Sequence, residues 1–531
     1  MKQRFNPILP LDEYIPDGEP HVFGDRVYLF GSHDTEGGSR YCAEGNYVVW
    51  SAPVKDPADW TFEGEIYHSG QDPDYEEGAY NDMYAPDVVQ GNDGRYYLYY
   101  GFSGADGHNK LKVAVSDSPA GRYEYLGFVK NPDGTIHNTY LMGDPALIND
   151  DGVIRLYAGW SLSTVASDAH AQGEGYDGEK TKDFAGEGMA AEKRENQEMQ
   201  LPDPRDPQMN EKLMPLYQML FHKRREDVKD LKYPLMGANT WVLDDDMMTV
   251  KSGPIRIVEG QLSTPADSSF YGHAFYEASS IRKINGYYYF IYSSENSNEL
   301  CYAVSRYPDR DFIYGGTIIS NGDVGYKGLK KEDRTNMTAN DHGSLACING
   351  QWYIFHHRHT HKSTFSRQAC VEPVSINEDG SIDQVECTSM GFTKEPFTPR
   401  GEFPAPVSCV LTNGHMPHCT NTSVKADIPY ITHGDGVRYI TAVKEGTKIG
   451  YKYFNFDGPV QIAVKTRGTG GGCFEVRTNR GKVGEIDLPV SEEWEESRTE
   501  AVIEGKEALY FIYHGAGGYD FLSFSLGKDE D

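Results

Sequence analysis

A hairpin motif that recurs five times along the chain is the feature that most constrains its fold. Each copy has a polar or acidic opening, a short apolar strand, a glycine-containing turn and an aromatic-rich strand. The turns, among them NDG, DDG and NG, are typical of connections between two antiparallel strands. The copies begin at Glu19, Ala85, Gly143, Tyr276 and Asp341.

Further β-like runs follow the hairpins, so each repeat can supply about four short strands. Repeats of this kind arranged around an axis predict an all-β fold, a five-bladed β-propeller. The third and fourth copies lie farthest apart, which predicts an insertion in the third blade at residues 161–236. Its first half is polar, whereas its second half has the apolar spacing of a helix, so the insertion is expected to be partly helical.

Composition changes near Thr393, where a proline-rich stretch begins. We predict a propeller domain at residues 1–395, a linker at 396–422 and a second domain at 423–531. The second domain contains short alternating apolar and polar runs, which predict a jelly-roll β-sandwich.

Charge excludes some classes of partner. The chain has 50 Lys and Arg against 80 Asp and Glu, a formal net charge of −30. Nucleic acids and anionic membrane surfaces are therefore not expected as partners. The charge is compatible with a neutral ligand. The 37 tyrosines fit both β-sheet packing and the walls of sugar-binding sites. Oligomeric state is left open.

The N-terminus lacks an apolar signal-peptide core, and the eight cysteines are scattered without a CxxC pair. We therefore expect a reduced, cytoplasmic protein without structural disulfides or a zinc site.

The openings of the repeats carry the chemistry. The innermost strands of a propeller converge on its axis, so residues at their starts meet in one shallow pit. Two carboxylates across a sugar ring can hydrolyse a glycosidic bond, one as proton donor and the other as activator of water. A third carboxylate nearby keeps the donor protonated through like-charge repulsion. The residues at these openings are Asp17, Glu19, Asp87, Asp144, Glu277 and His342.

Four motifs follow one another along the chain. The first is DGEPHV with GDRVYLFGSHD, and the next three are YAPDV, FYEASS and HGS. Together they resemble glycoside hydrolase family 43 over roughly residues 5–390. The resemblance implies a five-bladed propeller and an inverting mechanism. From about Ser423, the chain resembles a family 6 carbohydrate-binding module, although a purely structural appendage is an equal alternative.

The resemblance also implies roles for individual residues. Glu277 takes the place of the general acid, and Asp87 takes the place of the carboxylate that tunes and orients it. The general base is Asp17 or Glu19: spacing favours Glu19, residue type favours Asp17. We prefer Asp17, because a bulge can return an aspartate to the pit.

Other positions receive supporting roles. His342 resembles an axial histidine linked to bound calcium or water, so no cofactor is required but Ca²⁺ is possible. Arg367 resembles an arginine that contacts the sugar, and Asp34 and His273 are expected to line the pocket. Asp144 is interpreted as support for its blade. The histidine-rich stretch at residues 356–361 is interpreted as strand and loop, because alternation sends its members to opposite faces.

The resulting hypothesis is an inverting β-xylosidase or α-L-arabinofuranosidase that acts on plant hemicellulose-derived oligosaccharides. One alternative is a noncatalytic sugar-binding propeller that has lost its base. A relative acting on another glycoside, such as a β-galactoside or a fructoside, is a further alternative. A retaining enzyme would need its two carboxyl groups about 5 Å apart, whereas inversion needs roughly 6.5–9.5 Å.

Overall fold

The structure is a computed structural model that describes residues 4–79, 81–103, 109–137, 143–161, 237–261, 264–419 and 423–527. Five antiparallel sheets follow one another along the chain before a larger C-terminal sheet begins. The all-β prediction is confirmed. In the described part, the short 3₁₀ turns span Ser69–Gln71, Tyr326–Gly328, Lys331–Asp333 and Ala405–Val407.

The first three sheets each contain four strands, paired in the order in which they occur. Their strands are β1 (Glu19–Phe23), β2 (Arg26–Phe30), β3 (Asn46–Pro53) and β4 (Thr61–His68); β5 (Asp87–Gln90), β6 (Tyr96–Ser103), β7 (Asn109–Ser116) and β8 (Glu124–Phe128); and β9 (Ala146–Asp150), β10 (Val153–Trp160), β11 (Gly237–Leu243) and β12 (Val250–Glu259). The predicted third-blade insertion falls between β10 and β11, and residues 162–236 lie outside the described part of the chain.

The fourth sheet also has four strands, and the fifth has three among the residues described. These strands are β13 (Phe275–Ile284), β14 (Tyr287–Ser294), β15 (Glu299–Ser305) and β16 (Ile313–Ser320), then β17 (Leu345–Ile348), β18 (Gln351–His359) and β19 (Arg367–Val374). The first strands contact one another in sequence, β1 with β5, β5 with β9, β9 with β13, and β1 with β17. The five sheets are therefore the blades of a closed propeller whose first strands surround the axis.

Apolar side chains fill the spaces between neighbouring blades. Each of five core clusters draws its residues from two adjacent blades, including one cluster that joins the fifth blade to the first. Many tyrosines serve this packing, with fully buried examples at Tyr47, Tyr99, Tyr157 and Tyr302. Burial of this apolar surface holds the ring together.

The ring closes where the first and fifth blades meet at their axial ends. Gly18 forms a parallel bridge with Gly343, one residue after Asp17 and His342 respectively. A Cβ on Gly343 would lie 1.9 Å from the carbonyl oxygen of Phe355, so only glycine permits this close approach. The closure thereby brings Asp17 and His342 together at one end of the axis.

The C-terminal domain is a β-sandwich built from a nine-stranded antiparallel sheet with its own core. Its strands are β20 (Gly401–Pro404), β21 (Val410–Thr412), β22 (Tyr430–Gly434), β23 (Val437–Val443), β24 (Lys448–Gly468), β25 (Gly472–Thr478), β26 (Gly481–Leu488), β27 (Ser491–His514) and β28 (Tyr519–Gly527). The segment predicted as a linker therefore holds two strands of this domain, since β20 pairs with β28 and β21 with β24. Proline-rich composition concealed them, because both are edge strands of three or four residues.

Among the described residues, no helical segment is long and apolar enough to cross a lipid bilayer. All eight cysteines are free thiols. Most of them are buried among core side chains, where a thiol behaves as a small apolar group.

Candidate active site

Asp17 lies at the end of the axis, just before β1, in a left-handed backbone conformation with φ of 58°. Aspartate is one of the few residues other than glycine that adopts this conformation readily. Its Oδ1 accepts a hydrogen bond of 2.7 Å from Arg367, and its backbone N–H donates to His357 Nδ1 over 3.3 Å. The Asp17 carboxylate is thus fixed in place by a cation and by its own main chain.

Arg367 bonds Asp17 directly and is itself held in place by a second carboxylate, that of Asp34. Its Nε and Nη2 donate to both oxygens of Asp34 at 2.8 and 3.0 Å, while Nη1 bonds Asp17. Asp34 also accepts N–H bonds from Cys42 and from Arg367 itself. Both residues are 2% exposed. Arg367 and Asp34 therefore form a buried bidentate pair behind Asp17, and the expectation that they contact sugar stays a prediction.

Asp144 and Glu277 meet at a β-bulge. Pairing of β13 with β14 slips on either side of Glu277, and Ala278 has a φ of 68°. The bulge frees the Ala278 N–H, which donates to Asp144 Oδ2 over 3.0 Å. Bulges of this kind commonly redirect a side chain beside an active site.

Glu277 is in an environment that keeps it protonated. Burial, followed by the negative charges of Asp144 and Asp17, raises the pKa of Glu277 to about 8. Burial also raises the pKa of Asp144, while its neighbour His342 opposes that shift. Like charges close together cannot all ionise, so one carboxyl group of the three retains its proton near neutral pH.

The structure brings together Asp17, Asp144 and Glu277, not the set expected from sequence. Asp87, expected beside Glu277, bonds His21 Nε2 at 2.6 Å and accepts the Leu147 N–H at 2.6 Å. It ties blades one, two and three together, and it is not among the main charges that act on Glu277. Asp144, interpreted as blade support, is the carboxylate that faces Glu277.

Glu19 and Asp17 occupy different environments although they are two residues apart. Glu19 is the first residue of β1, is fully buried, and its Oε2 accepts a 2.9 Å bond from Arg282. Its electrostatic neighbours are Arg282, Asp87, His21 and His342, and burial raises its pKa. Strand alternation does not relate the two side chains, because Asp17 lies in the turn before the strand.

His342 stands between two of the pit carboxylates. Its Nδ1 lies 3.7 Å from Asp17 Oδ1 and 4.0 Å from Asp144 Oδ2. Its buried Nε2 has no hydrogen-bond partner in the described structure, and neither has Glu19 Oε1. Ca²⁺ takes about six to eight oxygen ligands. Ligand atoms of Glu19, His21 and Asp87 lie within 4.8 Å of one another, but His21 is bonded to Asp87 and Glu19 is bonded to the Arg282 cation. Together with the His342 nitrogen these groups do not make a set of oxygen ligands, so we derive no step through calcium.

Histidines of the 356–361 stretch support the pit from beneath. His357 and His359 both bond the carbonyl oxygen of Asn340 at 2.9 Å, and the Asn340 side chain acts to lower the pKa of Glu277. Burial, with Arg367 nearby, lowers the pKa of His357 well below its usual value, so its ring is neutral. Alternation along β18 places these two rings on the same face of the strand.

His273, expected to line the pocket, lies elsewhere. Its Nδ1 is 2.7 Å from Glu299 on β15, and its ring stacks on Tyr314 of β16 at 4.8 Å. These are the two outer strands of the fourth blade, away from the axis. The expectation is therefore corrected.

Two tyrosines at the pit were not singled out from the sequence. Tyr41 lies over the Arg367 guanidinium at 4.7 Å, and its side chain hydrogen-bonds Thr364. The charge of Glu277 acts on both Tyr41 and Tyr276, and both are partly exposed. Tyr276 directly precedes Glu277, the predicted acid, and this position could have identified it from the sequence. Tyr41 lies in a loop whose sequence gives no such indication.

A five-bladed propeller with three carboxyl groups at one end of its axis, one of them protonated, defines a glycoside-cleaving enzyme. Comparison with known proteins agrees with this class. The sequence profile of "Glycosyl hydrolases family 43" matches residues 6–192 and 231–382. The chain belongs to this family, and it is therefore a glycosidase of the family's inverting type.

Individual relatives carry consistent names. A "Xylosidase/arabinosidase" from Thermoclostridium stercorarium is 39% identical, covering 99% of this chain and all of that protein. A "Xylosidase/arabinosidase 43A" from Humicola insolens is 24% identical over 65% of this chain and 88% of its own length. Among solved structures, a family 43 β-xylosidase/α-arabinofuranosidase from a compost metagenome, described as a calcium-free form with xylotriose, is 23% identical. It covers 73% of this chain and 98% of its own, with a TM-score of 0.48.

Proposed function

We propose that this protein releases xylose or arabinose from hemicellulose-derived oligosaccharides, as a β-xylosidase and α-L-arabinofuranosidase. The substrate class is supported by the name of the 39% identical relative, which covers the whole chain. The observation that carries the chemistry is the shared pit of Asp17, Asp144 and Glu277, in which Glu277 has a pKa of about 8.

The proposed reaction is a single displacement. Protonated Glu277 gives its proton to the glycosidic oxygen as the bond to the anomeric carbon breaks. Asp17 accepts a proton from a water molecule that attacks the same carbon from the opposite face, and the product has the inverted anomeric configuration. Solvent then reprotonates Glu277 and removes the proton from Asp17. Tyr41 and Tyr276 offer aromatic surface to the sugar ring.

The test is hydrolysis of aryl β-xylosides and aryl α-L-arabinofuranosides, with the first-formed product followed by NMR. We expect the α-anomer of xylose from a β-xyloside. Release of the β-anomer would overturn the single displacement, and failure to hydrolyse either class would overturn the proposed substrates.

We propose that the charge of Asp144 raises the pKa of Glu277. A pH profile can separate this effect from a structural role of Asp144. In Asp144→Asn a negative charge beside Glu277 disappears, so the Glu277 pKa falls and a smaller fraction is protonated at pH 7. The alkaline limb of the kcat/KM profile should move to lower pH by about one unit, and activity at pH 7.5 should fall roughly threefold, approaching tenfold above pH 8.

Asp87→Asn is the matched control, since Asp87 is not among the main charges that act on Glu277. Its alkaline limb should stay in place even where the loss of a buried hydrogen-bonded carboxylate lowers stability. An unmoved limb in Asp144→Asn, or an equal movement in Asp87→Asn, would contradict the assignment.

A calcium ion on the axis is proposed to be dispensable, and His342 Nε2 is the atom that would contact it. Because nitrogen is a poor ligand for calcium, binding should be weak. Dialysis against EGTA is expected to change kcat/KM by less than about twofold, a change too small to indicate a catalytic metal. A larger loss that Ca²⁺ restores would contradict this proposal.

A further inference from the structure

The C-terminal sandwich contacts a loop that forms part of the active site. This loop, residues 35–41, follows Asp34 and ends at Tyr41. Arg438 on β23 donates to Glu36 Oε2 over 2.6 Å, and His433 Nδ1 lies 2.9 Å from the same oxygen. The Glu36 and Arg438 side chains are only 12% and 17% exposed, so solvent and salt screen this pair less than a surface pair.

Arg438 also contacts the segment on the other side of Asp34. It donates to the Tyr14 hydroxyl over 3.1 Å, and the Tyr14 carbonyl oxygen accepts the Asp34 N–H at 3.0 Å. Arg438 of the sandwich therefore bonds two residues next to Asp34: Tyr14, which is hydrogen-bonded to Asp34, and Glu36, which follows Asp34 in the loop. Since Arg367 bonds Asp17 and lies under Tyr41, these contacts reach the pit.

A second set of contacts connects the sandwich with the same loop. The Ile431 N–H donates to the Thr360 carbonyl oxygen at 2.9 Å, immediately before a turn of the fifth blade. In that turn Ser366 bonds both Gly37 and Thr35, at 2.7 and 3.1 Å. The loop is therefore held between the fifth blade and the sandwich, and the Glu36–Arg438 pair is its charged contact with the sandwich.

We propose that Arg438 is a positioning residue for the active site: it holds loop 35–41, and with it Tyr41, against the pit. The substrate side of this inference rests on the proposed glycosidase function. The sandwich then acts as a structural part of the sugar-binding wall, in contrast to an independent carbohydrate-binding module.

The experiment compares Arg438→Met with the full-length wild type by hydrogen–deuterium exchange and by kinetics. Peptides covering residues 34–42 should exchange roughly fivefold faster, while peptides from blades two and three stay unchanged. KM for the hydrolysed glycoside should rise about fivefold with kcat within about twofold, because a loosened wall weakens ground state and transition state equally.

Three further variants sharpen the result. Arg438→Lys should restore part of the effect, and Glu36→Gln combined with Arg438→Met should be little worse than Arg438→Met alone, since both substitutions break the Glu36–Arg438 pair. Arg480→Met removes another arginine of the sandwich, paired with Glu507 at 2.6 Å, and should change neither readout.

Unchanged exchange at residues 34–42, or equal changes in Arg480→Met, would overturn the positioning role. The exchange measurement decides this independently of substrate. Failure of the wild type to hydrolyse any tested glycoside would instead refute the proposed function.

Discussion

Asp17→Asn is expected to lose about 10²- to 10⁴-fold in kcat, the contribution typical of a positioned general base. The amide has the size of the carboxylate but cannot accept a proton from water. The loss should be the same for substrates with good and poor leaving groups, because it concerns the attacking water and not bond cleavage. Stopped assays on aryl xylosides and on xylobiose measure both.

Chemical rescue makes the assignment more specific. Asp17 already adopts a left-handed backbone with φ of 58°, which glycine adopts without strain, so Asp17→Gly should fold. Azide needs no deprotonation and can occupy the space that the carboxylate leaves. We expect azide to restore turnover in Asp17→Gly and to yield a glycosyl azide of inverted configuration.

Glu19→Gln is the matched control, because spacing alone made Glu19 the competing base. Glutamine retains bonds to Arg282 and Ser280 and removes only the charge. Its kcat should stay within about threefold of wild type, with the effect appearing in the melting temperature. A folded but inactive Glu19→Gln beside an active Asp17→Asn would reverse the assignment.

Glu277→Gln, unlike Asp17→Asn, is expected to show a loss of activity that depends on the leaving group. Hydrolysis of xylobiose should fall about 10³-fold, since its alkoxide leaving group needs a proton. A dinitrophenyl glycoside, which leaves without protonation, should lose only about tenfold or less. An equal loss on both substrates would contradict the role of Glu277 as acid.

The pH profile gives a second readout for this variant. With a pKa of about 8, Glu277 is protonated below that pH and loses its proton above it, so wild-type activity should decline as pH rises through about 8. Glutamine does not titrate, so the decline should be absent from the residual activity of Glu277→Gln.

Glu372→Gln is a control for that profile. Burial raises the pKa of Glu372 to about 8 as well, but its carboxylate is bonded to Asn6 and Thr388, outside the pit. Its replacement should leave the alkaline decline where it is in the wild type. If the decline vanished in Glu372→Gln, it would report on folding and not on the acid.

The large effects expected for Asp17→Asn and Glu277→Gln depend on the different environments in which the fold places chemically similar carboxyl groups. Glu19, Asp87 and Glu372 are more buried than Asp144 and Glu277, yet each is bonded to a cation, a histidine or backbone N–H groups. Glu277 instead faces two other carboxylates, and this repulsion suits it to donate a proton.

The sequence by itself determined the repeat, the five blades, the C-terminal sandwich and the position of Glu277, because hairpin turns and strand alternation are local. It also placed Asp17 among the candidates. Only the tertiary structure decided that Asp144, and not Asp87, faces Glu277, and that Arg367 is buried behind Asp17. Those distinctions depend on a bulge at Glu277, a left-handed turn at Asp17 and the closure of the ring at Gly18 and Gly343. Each of these three features turns a side chain towards or away from the axis, and that direction cannot be predicted from the order of residues along a strand.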